Sequence, residues 1–405
     1  MSFGLLGERL GHSYSPQIHK FLGGYDYDLF PVPKEQLDHF MKTTPFQGIN
    51  VTIPYKKAVI PYCKELSETA QAMGCVNTIL RREDGSLYGH NTDAEGFAWL
   101  LDRKGGITRG EKALVLGTGG AAGTVSRVLE SRGAKVILIS RRGENHYGNL
   151  YDHKDAVLLV NATPVGMYPN NGESLVDLKG LPNLRSVLDL VYNPCRTKLL
   201  MDGEALGLQW ENGLSMLVAQ AGKAAELFTG QSIAPTKWES ILCKLKRDTE
   251  NIILIGMPGS GKSTIGRALA ETLHRPFVDT DEEIQKLVGD IPAYFASHGE
   301  TAFRKIESQV LAQWGKESGL ILATGGGCVT QEENYPLLHQ NGQIIAIDRP
   351  LELLSTKGRP LSQEKGIETL FAQRAPLYSR FADIRIENSG TIQDAVRKIL
   401  KEREG

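Results

Sequence analysis

Residues 251–264 read Asn251-Ile252-Ile253-Leu254-Ile255-Gly256-Met257-Pro258-Gly259-Ser260-Gly261-Lys262-Ser263-Thr264, and they set the architecture of the second half of this 405-residue chain. The apolar run reads as a strand of a parallel sheet buried on both faces. It enters G-x-x-x-x-G-K-S, and a helical pattern over Lys262–Leu273 follows. Strand, glycine loop and helix in that order make a phosphate cradle. Glycines let backbone N–H groups wrap an anion without Cβ clashes, and the helix N-terminus adds a favourable dipole. Gly256, Gly259, Ser260, Gly261, Lys262, Ser263 and Thr264 are therefore the candidate nucleotide ligands. Lys262 is expected at the β- and γ-phosphates, and the Ser263 hydroxyl on Mg²⁺. The loop by itself says only nucleoside triphosphate.

The residues downstream narrow it. Asp279-Thr280-Asp281 follows an expected strand at 276–278, which aims two carboxylates at the phosphates. One suits a water-bridged Mg²⁺ and the other suits acceptance of a hydroxyl proton. In Gly299-Glu300-Thr301-Ala302-Phe303-Arg304-Lys305-Ile306-Glu307, Arg304 and Glu307 share a helical face. Arg304 there suits a carboxylate held by two parallel hydrogen bonds, or else an exposed ion pair. A strand at 320–323 ends in Thr324-Gly325-Gly326-Gly327, where a flat ligand can approach the backbone closely.

In this order the P-loop, D-T-D, G-E-x-x-F-R-x-x-E, T-G-G-G, G-R-P-L (358–361) and R-A-P-L-Y (374–378) resemble shikimate kinase over residues 250 to 405. The resemblance implies ATP and Mg²⁺, with Asp279 assisting the metal and Asp281 contacting the hydroxyl that is phosphorylated. It implies that Arg304 and Arg374 hold the shikimate carboxylate and that Gly325, Gly326 and Gly327 pack on its ring. It makes Arg359 the lid arginine at the transferring phosphate. The lid segment 354–359 is shorter than the family's and lacks the arginine that stacks on adenine. Lys357 is the residue available to substitute, so weak nucleotide-base selectivity is expected.

Upstream, 244–250 (Lys-Leu-Lys-Arg-Asp-Thr-Glu) is a charged run that reads as a linker. Before it, the strand Lys112–Leu116 enters Gly117-Thr118-Gly119-Gly120-Ala121-Ala122, a G-x-G-x-x-A dinucleotide pattern opening a helix. The next strand, Lys135–Ile139, ends in Ser140-Arg141-Arg142 where an NAD site would offer a carboxylate. Two cations there suit the 2′-phosphate of NADP. Polar clusters end other apolar segments: 11–16, 50–56, 74–78 and Asn91-Thr92-Asp93. They supply hydroxyls and amides for a polyhydroxylated ring. They also supply Lys56 and Asp93, a pair able to transfer the proton that carbonyl reduction requires.

With the Asn-Ala-Thr-Pro of 161–164 and the run 212–220, this set resembles shikimate dehydrogenase over residues 1 to about 240. The resemblance implies that Ser13, Ser15, Thr52, Asn77 and Gln220 bind shikimate and that Lys56 and Asp93 are catalytic. It places Thr163, Gly213 and Met216 near the nicotinamide and Tyr192 near the substrate. The expected fold is α/β throughout. A substrate-binding domain comprises 1–95 and 213–243, a Rossmann-like NADP domain 96–212, a linker 244–250, and a P-loop kinase domain with a parallel sheet 251–405. The Rossmann-like part looks short, since about fifteen residues separate Arg142 from the strand at Val157.

Composition agrees with such an enzyme. The chain is 41% hydrophobic and 23% charged, with 46 Lys plus Arg against 47 Asp plus Glu, a net charge of -1. That balance gives no reason to expect a nucleic-acid partner. The five cysteines are scattered without zinc spacing and read as reduced thiols of a cytoplasmic protein. No signal peptide or bilayer-spanning run is visible. The expected reactions are NADPH reduction of 3-dehydroshikimate and phosphorylation of the shikimate 3-hydroxyl by ATP. The competing readings are quinate with NAD for the first half, another small hydroxy-acid kinase for the second, or one half retained only for binding. Oligomeric state is not legible in the sequence.

Overall fold

The computed structural model describes residues 2–11, 13–354 and 366–403. The chain forms two compact units. One comprises Met1–Met167, Gly172–Tyr192 and Leu199–Leu245; the other comprises Tyr168–Asn171, Asn193–Lys198 and Lys246–Gly405. No helix of the described residues is long and apolar enough to cross a membrane.

The first unit holds two sheets. Strands β1 (Ser2–Gly7), β2 (Tyr27–Pro31), β3 (Phe46–Val51), β4 (Glu65–Leu66), β5 (Thr78–Arg81) and β6 (Leu87–His90) form a sheet in the order β2-β1-β3-β5-β6-β4. It is mixed: β1 pairs in parallel with β2 and β3, and β5 runs antiparallel to β3 and β6. The second sheet is parallel, in the order β11-β10-β9-β7-β8. Its strands are β7 (Lys112–Leu116), β8 (Lys135–Ile139), β9 (Ala156–Asn161), β10 (Ser186–Asp189) and β11 (Gln209–Asn212). Alternation along its central strands fills both faces. Ala113, Val115, Leu158, Val160 and Leu188 join one core cluster; Leu114, Leu116, Leu159 and Val187 join another. Between β8 and β9 there is only a 3-10 turn, Leu150–His153, where a crossover helix would be expected, so β8 ends the sheet. This accounts for the short spacing in the sequence.

Helix Asp93–Lys104 lies against helix Leu214–Thr229. Gly96 permits the close approach, because a Cβ there would come within 2.7 Å of the Met216 carbonyl and 2.9 Å of Gln220 Cβ. Ile18, Val218 and Trp238 share a core cluster, so the helices Ser15–Leu22, Leu214–Thr229 and Pro235–Thr249 pack as one layer. The stretch expected as a linker is not extended. Helix Pro235–Thr249 runs through it, because Trp238, Ile241, Leu242 and Leu245 repeat at helical spacing and are all buried. Lys246 and Arg247 then sit in the last turn, where the helix dipole favours cations.

The second unit is built on one parallel sheet, β13-β14-β12-β15-β16, made of β12 (Asn251–Ile255), β13 (Phe277–Asp279), β14 (Ile321–Ala323), β15 (Gly342–Asp348) and β16 (Ile384–Glu387). β12 is central. Its Ile253 and Ile255 enter one core cluster and its Ile252 and Leu254 the other. Helix Ile291–Gly315 is broken at Gly299, whose φ of 78° and ψ of 173° are not helical. Its buried residues, Phe303, Arg304, Glu307, Val310, Leu311 and Gly315, all follow the break.

Candidate active sites

In the first unit, Lys56 and Asp93 meet across 37 residues of sequence. Lys56 Nζ donates to Asp93 Oδ2 at 2.5 Å. Asp93 is the first residue of helix Asp93–Lys104, so its carboxylate lies in the positive field of the helix N-terminus. Asn77 fixes its other oxygen, with Nδ2 donating to Asp93 Oδ1 at 2.9 Å. The same amide reaches Thr92 Oγ1 at 3.1 Å and Gln220 Oε1 at 3.4 Å, while Asn77 Oδ1 accepts from the Thr92 N–H at 2.7 Å. Asn91 Oδ1 receives the Asp93 N–H at 3.0 Å. Asn77, Asn91, Thr92 and Asp93 are buried, so this polar net is satisfied and stiff. Lys56 keeps 28% of its side-chain surface exposed, against 12% for Asp93, so the lysine is the more open member of the pair.

Lys56, Asp93, Asn77 and Gln220, all candidate site residues, are thus brought together. Ser15 opens helix Ser15–Leu22, and its N–H donates to Ser13 Oγ at 3.2 Å. Thr52 follows β3, its N–H bonded to the Leu6 carbonyl. Among the described residues no hydrogen bond joins Ser13, Ser15 or Thr52 to the Lys56–Asp93 pair. The Tyr192 ring lies 5.5 Å from that of Tyr14, and burial pushes its phenol above the ordinary range.

The dinucleotide loop sits at the carboxyl end of β7. Gly117, at φ 106°, turns the chain, and a Cβ on it would come within 3.0 Å of Thr163 Cγ2. Gly119 caps helix Gly120–Ser131, which also carries Ala121 and Ala122. A Cβ on Gly119, Gly120 or Gly123 would meet no protein atom within 4 Å. No packing demands glycine at these three positions, whereas a phosphate laid on the helix N-terminus would. Ser140 Oγ donates to the Arg142 carbonyl; Arg141 and Arg142 are exposed at the end of β8 and make no ion pair among the described residues. Thr163 Oγ1 is oriented by Asn161 Oδ1 at 2.6 Å, and Asn161 by Asp189 at 2.9 Å. Gly213 has a backbone role, since a Cβ there would lie 2.0 Å from the Leu190 carbonyl. Met216 follows on the helix that begins at Leu214.

In the second unit a cleft of about 720 Å³ opens at the carboxyl ends of β12, β13 and β14. Gly259, Gly261, Lys262, Ser263 and Thr264 line it. Lys262 Nζ donates to the Gly256 and Met257 carbonyls at 2.9 and 3.0 Å, so the ammonium lies over the loop. Asn388, which sequence spacing does not single out, ties the loop down by donating to the Ser260 carbonyl at 2.8 Å. Asp279 caps helix Thr280–Val288, accepting from the Asp281 N–H at 3.0 Å.

A side chain at any glycine of the triplet would crowd a neighbour that lines the cleft. A Cβ on Gly325 would stand 2.7 Å from Glu307 Oε1 and 2.8 Å from Asp281 Oδ1. On Gly326 it would meet Pro258 Cδ at 2.7 Å, and on Gly327 it would meet Arg304 Nη1 at 2.2 Å. Arg304 donates to Glu307 Oε2 at 2.7 Å and to Glu300 Oε1 at 3.2 Å. The pair is buried, not the exposed alternative. Burial opposes the Arg304 charge, but the two glutamates outweigh it and hold the guanidinium protonated above its usual range. Arg374 Nη1 and the Tyr378 hydroxyl both donate to the Gly326 carbonyl, at 3.0 and 2.5 Å. Tyr378 belongs to the R-A-P-L-Y run but acts on a backbone atom, which spacing alone does not reveal. Arg359 and Lys357 lie outside the described residues.

A family model for shikimate kinase matches residues 258–404, and one for the shikimate dehydrogenase substrate binding domain matches residues 5–79. A shikimate dehydrogenase (NADP(+)) of Clostridium perfringens is 39% identical over 266 residues, which cover 60% of this chain and 98% of the relative. One from Methanopyrus kandleri is 40% identical over 261 residues, covering 56% of this chain and 90% of the relative. Among solved structures, a chorismate mutase/shikimate 5-dehydrogenase fusion from Clostridium acetobutylicum aligns with a TM-score of 0.57 at 37% identity, covering 60% of this chain and 96% of that one. Shikimate 5-dehydrogenase of Thermus thermophilus, in complex with NADP(H) and shikimate, aligns with a TM-score of 0.55 at 34% identity, covering 60% of this chain and 99% of that one.

Proposed function

We propose how two sites divide the chemistry of a chain that belongs to the shikimate dehydrogenase family and continues into a shikimate kinase domain. The protein is a bifunctional enzyme of the shikimate pathway. It reduces 3-dehydroshikimate to shikimate with NADPH, then phosphorylates shikimate with ATP.

In the first reaction NADPH supplies the hydride when bound. Lys56 donates a proton to the carbonyl oxygen as the C=O π bond opens, which turns the developing alkoxide into the hydroxyl. Asp93 holds the ammonium and accepts from a neighbouring ring hydroxyl, while Asn77 and Gln220 bind the ring on the same polar net. Ser13, Ser15, Thr52 and Tyr192 complete the substrate side. Gly117, Gly119, Gly120, Ala121 and Ala122 cradle the pyrophosphate, with Ser140, Arg141 and Arg142 on the 2′-phosphate. Thr163, Gly213 and Met216 border the nicotinamide.

In the second reaction Asp281 accepts the proton of the shikimate 3-hydroxyl. The new O–P bond forms as the β,γ-bridging P–O bond breaks. Lys262 balances charge on the phosphates from its place over the loop, and Arg359 is assigned the same task from the lid. Ser263 and Asp279 are the residues suited to Mg²⁺, which neutralises phosphate charge when bound. Arg304 and Arg374 hold the substrate carboxylate.

The single observation that carries the reading is the 2.5 Å Lys56–Asp93 pair seated in a satisfied polar net. The partners proposed are small molecules, and the setting proposed is cytoplasmic, which five free cysteines support. The test is a coupled assay on the full chain with 3-dehydroshikimate, NADPH, ATP and Mg²⁺. Shikimate 3-phosphate is expected. Its absence, with either partial reaction also missing, would overturn the assignment of that half.

A further inference from the structure

The kinase cleft has two sides about β12. Toward β13 and β14 stand Asp281, Arg304 and the glycine triplet. Toward β15 the charged residue that lines it is Arg349, the first residue after that strand. Its neighbour Asp348 does not neutralise it, because both Asp348 oxygens are taken by Arg385 at 2.9 Å. Arg349 makes no ion pair among the described residues, and its Nε is buried without a hydrogen-bond partner. Its Nη1 lies 3.8 Å from where a Cβ on Gly261 would stand. Gly261 is the residue that caps helix Lys262–Leu273, so Arg349 flanks the point where the phosphate loop becomes helix.

A buried donor left unmatched in a cleft is poised for an acceptor that arrives with the ligand. Backbone N–H groups of the loop suit the phosphates laid in it, and Lys262 suits the β- and γ-phosphates. With the acceptor substrate assigned to the β13–β14 side, the nucleoside end of a bound triphosphate would lie toward β15, where Arg349 stands. We propose that Arg349 binds the α-phosphate end of the nucleotide by a charge-assisted hydrogen bond. This rests on the ATP-dependent kinase reading above, and it makes the contact blind to the base.

Calorimetric titration of the full chain with ADP, GDP and shikimate tests it, using Arg349→Met and Arg349→Lys. Arg349→Met is expected to weaken ADP and GDP alike, by about ten- to hundredfold, the value of one charge-assisted bond. Arg349→Lys should recover part of that, and shikimate binding should not change. Unchanged ADP affinity in Arg349→Met overturns the inference, and so does a loss confined to ADP, which would put Arg349 on the base. Joint loss of ADP and of the second, kinase-site equivalent of shikimate in both variants overturns it in favour of a structural role. A parent chain that binds shikimate but no ADP would count against the kinase reading instead.

Discussion

Replacing Gly327 by alanine probes the kinase site with one methyl group. Its Cβ would stand 2.2 Å from Arg304 Nη1, 2.3 Å from Nη2 and 2.4 Å from Cζ. Comfortable carbon contacts begin near about 3.5 Å, so the guanidinium must retreat by roughly an ångström or more. Arg304 is the end of a flexible side chain and can swing toward Glu300, which is more exposed than Glu307. The fold should therefore survive. Glu307, 1% exposed, would lose its partner, and a broken buried pair costs up to about 3–5 kcal/mol. A displacement of about 1 Å at a substrate-holding group lowers rate by about a hundredfold. Kinase kcat/KM for shikimate should fall by at least about that factor, while dehydrogenase kcat/KM stays within about twofold. Gly326→Ala is the control on the adjacent residue. Its Cβ would press Pro258 of the phosphate loop instead, at 2.7 Å. That variant should raise KM for ATP more than KM for shikimate. Initial-rate kinetics over both substrates separate the two, and identical substrate dependence in both variants would refute the argument.

Lys56→Ala should abolish 3-dehydroshikimate reduction by several orders of magnitude and spare shikimate phosphorylation, with Lys262→Ala doing the reverse; loss of both activities from either change, in a folded chain, would refute two independent sites. Alanine at Arg141 and Arg142 together should reduce the preference for NADPH over NADH by about ten- to hundredfold in kcat/KM, and an unchanged ratio would return both arginines to solvent. His19 is fully buried and burial lowers its pKa to about 3, so the folded state keeps it neutral where the unfolded chain, near 6.5, binds a proton. Its contribution is thus present above about pH 6.5 and lost on acidification, by about 2 kcal/mol at about pH 5. Urea unfolding at the two pH values should show this slope in the parent and not in His19→Gln.

The strands β7, β8 and β12 end where the sequence predicts, because each is an apolar run stopped by glycine or a polar loop. The first sheet was not legible strand by strand. Thr78–Arg81 and Leu87–His90 are short and mix polar with apolar residues, so their antiparallel pairing is a product of tertiary contact. The charge of 244–250 disguised a helix whose buried face had already been set by Trp238, Ile241 and Leu242. Lys56 and Asp93 stood out only as a pair among hydroxyl-rich turns, since a lysine taken singly is more often on the surface; that the two side chains meet is seen only in the fold. Asn388 and Tyr378 did not stand out, because each works through a loop carbonyl that leaves no mark in the side-chain pattern.

The break at Gly299 divides one helix into segments of unequal standing. Residues after it are anchored by Phe303, Val310 and Leu311, while 291–298 contribute no buried side chain. Segments with few buried contacts open at low free energy. Amide hydrogens of 291–298 should therefore exchange with solvent far sooner than those of 303–311. Pro292 and Phe295 border the cleft from the loosely held segment. Arg304 borders it from the segment that is built into the core, so the cleft is lined by side chains of unequal anchoring.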